Sequence, residues 1–322
     1  MPIKKRVALH GANIRARESI VRIANQPNVV VRASPGLLVE AGHGSMEVGR
    51  LVALATMGGM ARLTVGFESW QDTPVPMITV ETGTPLEACF GCQYAGFNVK
   101  WHEKNAMGSG PGRLKVGDEE VLRRYHLSDG ERGAAFFLET AHRLDDALVE
   151  KLSHLTHCSG ADLTIVSAPT ACLVGSVQVA ARVVETTLHQ WELRGGDVAL
   201  IRAAMGTCPI APPAQDDLTA MGWTNDAILY GGQAWLWVDE NDAVLEHLVA
   251  SSVSSASNSW GTPFTHLITS GKGFYDLDPG LFAPAVVHAV SLQSGRTFHA
   301  GRTDRALLRG LWKWDETATS FY

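Results

Sequence analysis

Apolar and polar residues recur along this chain at two different spacings. Leucines at every third or fourth position predict a helix from Glu139 to Cys158, and a valine-rich stripe predicts a longer helix from about Leu173 to Trp191. Short β-branched runs predict strands at Asn28–Arg32, Met77–Glu81 and Leu163–Val166. Because helical and strand patterns alternate, the sequence predicts an α/β protein.

Capping residues and turn residues add further elements to this pattern. Ser45 is placed to cap a helix over Met46–Met57, which a glycine pair would end. Apolar runs at Ile228–Tyr230 and Ala234–Val238 predict two strands paired around the two glycines between them. Two segments are predicted to be loops: Pro209–Pro213 and the serine-rich Ser251–Ser259. The second is either a linker or a polar loop near a site.

Composition places the chain among ordinary globular proteins. Its 322 residues are 45% hydrophobic and 19% charged, which is enough for a packed core and does not suggest disorder. The net charge of −6 argues against nucleic acid or an anionic membrane as the main partner. The basic segment Met1–Glu18 lacks the apolar core of a secretory signal, so we expect a basic first helix, with an organelle transit peptide as the alternative. No apolar run is long enough to span a membrane.

The cysteines and histidines offer little support for a redox or metal site. Five cysteines in a long chain do not suggest a disulfide framework, and they fit a reducing compartment such as the cytoplasm. Cys89 and Cys92 form an isolated C-x-x-C pair, which we interpret as core residues rather than as a redox site. His154, His157 and Cys158 have no carboxylate spaced to complete a metal site, so none is predicted.

The long predicted helix carries a polar face as well as an apolar one. Its members recur at intervals of four, three and four residues: Gln178, Arg182, Glu185 and His189. Spacing alone favours a solvated surface face, on which an Arg–Glu pair contributes a few tenths of a kcal/mol. The alternative is a general base, Glu185, kept ionised by a neighbouring cation, Arg182.

Two further segments are unusual in composition. Ala106–Arg113 contains three glycines, and it is either a structural turn or a loop whose exposed N–H groups bind an anion. Its spacing matches neither a dinucleotide-binding fingerprint nor a phosphate-binding P-loop. Thr224–Gly232 contains an Asn–Asp pair that either caps a turn or lies at a site. No G-x-S-x-G elbow supports covalent acyl transfer.

Six segments, taken in order, resemble one protein family. They are Gly44–Leu51 with Met57–Gly59, Ala88–Phe97, Ala106–Arg113, Ala168–Thr170 with Gly175–Glu185, Ala220–Gly222 with Thr224–Gly232, and Gly273–Asp278 with Leu281–Ala285. The family is methenyltetrahydromethanopterin cyclohydrolase, and the resemblance covers about Val39 to Gly301. It implies two α/β domains with a substrate cleft between them, which we place at 1–160 and 161–322, with an approximate boundary and with discontinuous domains allowed.

The resemblance also implies an activity and its residues. The family interconverts a methenyl bridge and an N5-formyl group on the C1 carrier tetrahydromethanopterin, without a metal or redox cofactor and as a cytoplasmic homotrimer. Its catalytic Arg and Glu match Arg182 and Glu185. Eight further positions are expected to bind the pterin substrate: Gln93, Tyr94, Ser109, Gly110, Gln178, Asn225, Asp226 and Tyr230.

Five positions depart from the family pattern and are expected to line the cleft. Tyr94 stands where archaeal members have Lys. A tyrosine at this position resembles the branch from methylotrophic bacteria. The others are His43 for Arg, Cys92 for Ser, Phe97 for Trp and Asn105 for an aromatic residue. Two alternatives therefore accompany the cyclohydrolase assignment. One is a paralogue of the same fold that acts on another pterin or cyclic amidine, and the other is a non-catalytic protein that binds a C1 carrier.

Overall fold

The computed structural model describes residue 9, residues 11–270 and residues 277–314. The start of the predicted basic helix, the Gly273–Asp276 part of the last family segment and the end of the C-terminal tail lie outside the described residues. Two six-stranded mixed sheets and the helices packed on them make up the α/β fold that the sequence predicts. Among the helices that the structure describes, none is both long and apolar enough to cross a membrane.

The first sheet has parallel strands at its centre and runs in the order β1-β2-β8-β7-β6-β5. Its strands are β1 (Val30–Arg32), β2 (Leu37–Glu40), β5 (Phe97–Trp101), β6 (Lys104–Ser109), β7 (Ala134–Glu139) and β8 (Leu163–Ala168). Strands β2, β8 and β7 are parallel, and the other neighbours are antiparallel. Both faces of β7 are covered, since Phe136 and Phe137 point into different core clusters. This explains its continuous apolar sequence.

The second sheet runs in the order β12-β11-β10-β9-β4-β3 and is mostly antiparallel. Its strands are β3 (Arg62–Trp70), β4 (Thr73–Thr82), β9 (Ile201–Pro209), β10 (Gln233–Val238), β11 (Val286–Ser291) and β12 (Thr297–Gly301). Along β10, buried Ala234, Leu236 and Val238 alternate with more exposed residues, as expected of a sheet with one face in the core. Among the described strands of this sheet, β10 and β11 are the one parallel pair of neighbours.

Helices cover both faces of the first sheet and the inner face of the second. They are α1 (Ala12–Ala24), α2 (Met46–Thr56), α3 (Arg113–Val116), α4 (Glu120–Arg124), α5 (Asp146–Thr156), α6 (Leu173–Ala180), α7 (Val183–Leu193), α8 (Asp217–Gly231), α9 (Asp242–Ser251), α10 (Phe264–Thr269) and α11 (Arg305–Leu311). A π-helix spans Leu86–Gln93, and 3₁₀ turns span Gly160–Asp162, Val198–Leu200, Ser254–Ala256 and Pro279–Leu281. The largest apolar cluster joins α6, α7 and α8 to the second sheet.

Several elements lie where the sequence predicts them. The strands at Val30–Arg32, Thr73–Thr82 and Leu163–Ala168 confirm the three predicted strands, and α2 begins after Ser45, whose Oγ accepts a hydrogen bond from the Val48 amide at 3.4 Å. Strand β10 is confirmed too. Cys89 and Cys92 are both fully buried with free thiols, as their interpretation as core residues requires.

Two predicted elements are wrong, each because of local capping. Glu139 ends strand β7, and α5 begins only at Asp146, where the Asp145 carboxylate accepts from the Leu148 amide at 3.0 Å. The predicted strand Ile228–Tyr230 is the last part of α8, which begins after the Asp216 cap. The glycines that follow therefore end a helix rather than turn a hairpin.

The two sheets do not follow the order of the chain. β8 lies after residue 160 yet belongs to the first sheet, whereas β3 and β4 lie before it and belong to the second. A sheet-based division of the molecule is therefore discontinuous, which the sequence analysis allowed. The division at residue 160 stays a prediction.

Candidate active site

The long predicted helix is in fact two helices, and Arg182 lies at the break between them. Helix α6 ends at Ala180 and α7 begins at Val183. At the break, the Arg182 amide bonds back three residues, to the Val179 carbonyl at 2.9 Å, and the Ala181 carbonyl accepts from Nε2 of Gln93 at 3.3 Å. The break places Arg182 at the N-cap position of α7 and Glu185 in its first turn.

The Arg182 guanidinium is held by three neutral oxygen atoms. Nε donates to Oε1 of Gln178 at 3.2 Å, Nη1 to the Gln93 carbonyl at 2.8 Å, and Nη2 to Oγ of Ser109 at 3.1 Å. The Arg182 side chain is only 10% exposed, and none of these three acceptors is charged. The guanidinium therefore keeps its positive charge available to a neighbour while its position is fixed.

Glu185 is that neighbour. Its Oε2 lies 3.8 Å from Nη1 of Arg182, which is close enough for strong attraction but too long for a hydrogen bond. Burial raises the pKa of Glu185 above the ordinary value of 4.5, whereas the positive charges of Arg182, His189 and Arg113 lower it in part. A buried carboxylate with a raised pKa and a cation beside it has the properties expected of a general base.

The polar face reaches a cavity at its His189 end. The Tyr94 and His189 rings lie with their centroids 5.7 Å apart, and both line a cavity of about 370 Å³ together with Glu120, Arg124 and Glu192. The pKa of Tyr94 is raised, chiefly by burial and then by the negative charge of Glu185. Tyr94 and His189 thus line this cavity and lie close enough to Glu185 to interact with it electrostatically.

A π-helix, which the sequence analysis did not anticipate, positions two of the predicted site residues. Gln93 is its last residue, and Tyr94 follows it. Its C-terminal end is tied to Arg113, which is fully buried and donates to the carbonyls of Phe90 and Cys92 at 3.3 and 3.1 Å. Arg113 also forms a salt bridge with both carboxylate oxygens of Glu119. π-helical turns occur frequently at functional sites. The one signal in the sequence for the role of Arg113 is its place at the end of the glycine-rich segment Ala106–Arg113.

The glycine-rich segment Ala106–Arg113 packs tightly instead of exposing its backbone. The Gly110 amide, at φ +104°, donates to the Cys92 carbonyl at 2.7 Å, and the Gly112 amide donates to the Ala135 carbonyl at 2.8 Å. A Cβ on Gly112 would lie 2.4 Å from the Phe136 ring. The expectation of exposed amides for an anion is therefore wrong, because these amides bond within the protein. Ser109 contacts Arg182, and a substrate contact of Ser109 or Gly110 stays a prediction.

The remaining predicted residues lie on α8 and contact a different segment. Nδ2 of Asn225 donates to the Met221 carbonyl at 2.8 Å, within the same helix. Oδ1 of Asp226 accepts from the Phe264 amide at 2.9 Å, and the Tyr230 hydroxyl donates to the Thr262 carbonyl at 2.8 Å. Burial raises the pKa of Asp226 to about 7 and that of Tyr230 to about 12. These contacts hold the segment of residues 261–264 rather than the Arg182–Glu185 pair.

The residues that depart from the family pattern lie on different elements of the structure. His43 lines a cavity of about 360 Å³ at the carboxyl ends of the parallel strands. Cys92 is fully buried, Phe97 packs on the Phe136 ring at 5.8 Å, and Asn105 is exposed on β6. The expectation that all of them line one cleft is wrong for Cys92, because no part of it reaches the surface. Within the described ranges, no group of three or more His, Cys, Asp or Glu side chains could hold a metal ion.

Comparison with known proteins gives a consistent result. The model of the family described as "Cyclohydrolase (MCH)" matches residues 31–311. A methenyltetrahydromethanopterin cyclohydrolase from Methylobacterium organophilum is 36% identical, over 84% of this chain and 86% of the relative. Proteins with the same name from Methylobacillus flagellatus and Methanococcoides burtonii are each 34% identical, over 85% of both chains.

Proposed function

The chain belongs to the methenyltetrahydromethanopterin cyclohydrolase family, and we propose that it hydrolyses 5,10-methenyltetrahydromethanopterin to the N5-formyl derivative. This reaction is part of one-carbon metabolism. The observation that carries the proposal is the geometry around Arg182 and Glu185, in which a buried carboxylate lies 3.8 Å from a guanidinium held by neutral acceptors.

The substrate explains why one base suffices. The methenyl carbon bridges N5 and N10 and carries a delocalised positive charge, so it is already electrophilic. As the oxygen of a water molecule bonds to this carbon, Glu185 accepts a proton from the water. The bond from the carbon to N10 then breaks, N10 takes up a proton, and the hydroxyl of the intermediate loses its proton as the formyl group forms. The net products are the formyl compound and one proton.

Arg182 has a supporting role in this scheme. Burial raises the pKa of Glu185 and so favours the protonated carboxyl group, which cannot act as a base. The fixed charge of Arg182 favours the ionised form, and the 3.8 Å separation leaves the carboxylate oxygens without a hydrogen bond from the guanidinium. The carboxylate can therefore still bind the attacking water.

The same chemistry bears on cofactors and assembly. The methenyl carbon is already cationic, so it needs no Lewis acid to activate it, and the addition of water to it transfers no electrons. We therefore propose that neither a metal nor a redox cofactor takes part. We also propose the homotrimer that the family resemblance implies. The outer face of the second sheet exposes a cluster of large side chains, with Met205 40% and Trp235 38% exposed and the His288 ring stacked on Trp235 at 4.2 Å. Apolar patches of this kind commonly mark protein interfaces.

A direct assay tests the proposed activity. Purified protein is mixed with methenyltetrahydromethanopterin, and the loss of the ultraviolet band of the methenyl compound is followed. We expect loss well above the rate in buffer alone. A rate equal to that of buffer would contradict the proposal. Binding of the carrier without turnover would instead identify a carrier-binding protein, and turnover only of another methenyl pterin would identify a paralogue with a different substrate.

A further inference from the structure

Glu139, at the end of β7, lies against the polar face of α6. Its Oε2 accepts from Nε2 of Gln178 at 2.9 Å, and its Oε1 accepts from Oγ1 of Thr170 at 2.5 Å. Glu139 is the last residue of β7, Thr170 lies in the loop after β8, and Gln178 lies on α6. Since an ionised carboxyl group only accepts hydrogen bonds, Glu139 selects the orientation of the Gln178 amide in which the NH₂ group faces it.

This orientation determines which end of the Gln178 amide, the oxygen or the NH₂ group, faces Arg182. With its NH₂ group toward Glu139, Gln178 turns Oε1 toward Arg182, where it accepts from Nε at 3.2 Å. In the reverse orientation the NH₂ group of Gln178 would face the Nε–H group of Arg182. Two donors would then oppose each other, and the Gln178 carbonyl would face the oxygens of Glu139. The reversed amide would lose both hydrogen bonds, so Glu139 determines whether Arg182 has an acceptor for Nε.

We propose that Glu139 is a positioning residue for the reaction: it orients Gln178 so that the Arg182 guanidinium stays beside Glu185. The inference rests on the proposed function. Gln178 separates the two charged groups, so Glu139 fixes the position of Arg182 without forming an ion pair with it. Among the described residues, the one ion pair of Arg182 is with Glu185. A carboxylate bound directly to Arg182 would offset its charge and weaken its effect on Glu185.

Two substitutions separate orientation from mere packing. Glu139→Leu removes both acceptors, so the Gln178 amide is free to reverse. Because displacement of a catalytic group by about 1 Å can cost about 10²-fold, we expect kcat to fall by roughly that factor with little change in KM. Glu139→Gln can still accept from Gln178 through Oε1 and donate to Thr170 through its NH₂ group. This conservative variant should therefore recover most of the lost rate.

The control is a carboxylate with similar contacts elsewhere. Asp242 accepts from Oγ of Ser294 at 2.6 Å and from Nη1 of Arg296 at 3.1 Å, at the turn between β11 and β12. Asp242→Asn removes a charge and weakens these bonds far from the polar face of α6. We expect it to leave kcat unchanged. An equal fall in kcat in this control would mean that the Glu139 effect is a general loss of stability.

A second readout does not depend on turnover. The pKa of Glu185, followed by carboxyl ¹³C NMR in the full-length protein, should be higher in Glu139→Leu than in the wild type, because a displaced Arg182 stabilises the ionised form less. A folded Glu139→Leu protein with wild-type kcat and an unchanged Glu185 pKa would overturn the inference. Equal losses in Leu and Gln variants would also overturn it, since charge rather than orientation would then matter. An inactive wild type contradicts the proposed function alone, and the NMR result still decides the role of Glu139.

Discussion

Two buried carboxylates in this molecule have raised pKa values for the same reason, yet their surroundings differ. Burial raises the pKa of Glu185 on α7 and of Asp226 on α8. Glu185 has the positive charges of Arg182, His189 and Arg113 near it, whereas the favourable contact of Asp226 is a single backbone amide, that of Phe264. Oδ2 of Asp226 has no hydrogen-bond partner among the described residues.

The difference supports the proposal that Glu185 is the reactive carboxyl group and that Asp226 has a structural role. A nearby cation favours the ionised form of a buried carboxyl group, and Arg182, 3.8 Å from Glu185, acts on the pKa of Glu185 in this direction. With its pKa raised to about 7, Asp226 is largely protonated below neutral pH, and it holds the 261–264 segment together with Tyr230. Burial and residue type alone would not have distinguished the two.

The largest expected effect comes from Glu185→Gln. The amide keeps the shape of the side chain but cannot accept the proton, so kcat should fall by about 10²–10⁴-fold. KM should change little if other groups hold the pterin. Steady-state kinetics with methenyltetrahydromethanopterin measure both constants. If Glu185 belonged to a solvated surface face, kcat would stay near the wild-type value.

Arg182→Ala should change the pH dependence of the reaction. Without the guanidinium, the pKa of Glu185 rises further, because burial is then opposed by fewer positive charges. Loss of a neighbouring opposite charge typically shifts a carboxyl pKa by about 1–3 units, so the acidic limb of kcat should move to higher pH by a similar amount. A rate–pH profile measures the shift. A lower kcat with an unshifted limb would mean that Arg182 acts otherwise.

For Asp226→Asn we expect a pH-dependent change in stability. The pKa of Asp226 is raised from 3.8 to about 7 on folding, so the folded protein binds an extra proton between these pH values. Its contribution to stability is complete below about pH 4 and is lost as the pH rises through 7. The Asn variant lacks this loss, so its Tm should improve relative to the wild type from pH 4 to pH 8. Thermal unfolding at a series of pH values tests this, and a constant difference in Tm would contradict it.

The smallest effect is expected from Tyr230→Phe. The change removes the hydrogen bonds to the Thr262 carbonyl and from the Gly261 amide, the latter at 3.1 Å. Hydrogen bonds of this kind each contribute about 1 kcal/mol to the free energy of unfolding, so we expect a loss of about 1–2 kcal/mol. Urea unfolding measures it. A substrate-binding role for Tyr230, as the family resemblance predicts, would instead appear as a raised KM.

The sequence predicts the Arg182–Glu185 pair but not the shape of its surroundings. The intervals between Gln178, Arg182, Glu185 and His189 place them on one helical face, and the chain keeps them together although the helix breaks at Ala181. At the break the Ala181 carbonyl accepts a hydrogen bond from Gln93, a residue 88 positions away. Periodicity is a local signal and does not report such a contact.

The role of Glu139 was missed for a related reason. The leucine stripe extended the predicted helix back to Glu139, whereas the Asp145 cap begins α5 later and leaves Glu139 at the end of a strand. Its contacts with Thr170 and Gln178 span 31 and 39 residues. The sequence likewise left the glycine-rich segment open between a structural turn and an anion-binding loop, because the carbonyls that bind its amides belong to Cys92 and Ala135 in other elements.

The rate–pH profile of Glu185→Gln beside that of the wild type tests the central claim most directly. If Glu185 is the base, the single-turnover rate of the wild type rises with pH as this carboxyl group ionises, at a pH above the ordinary glutamate value of 4.5. The Gln variant should show a low residual rate without that rise. A Glu185→Gln protein that keeps both the rate and the acidic limb of the wild type would contradict the claim that Glu185 takes the proton from water.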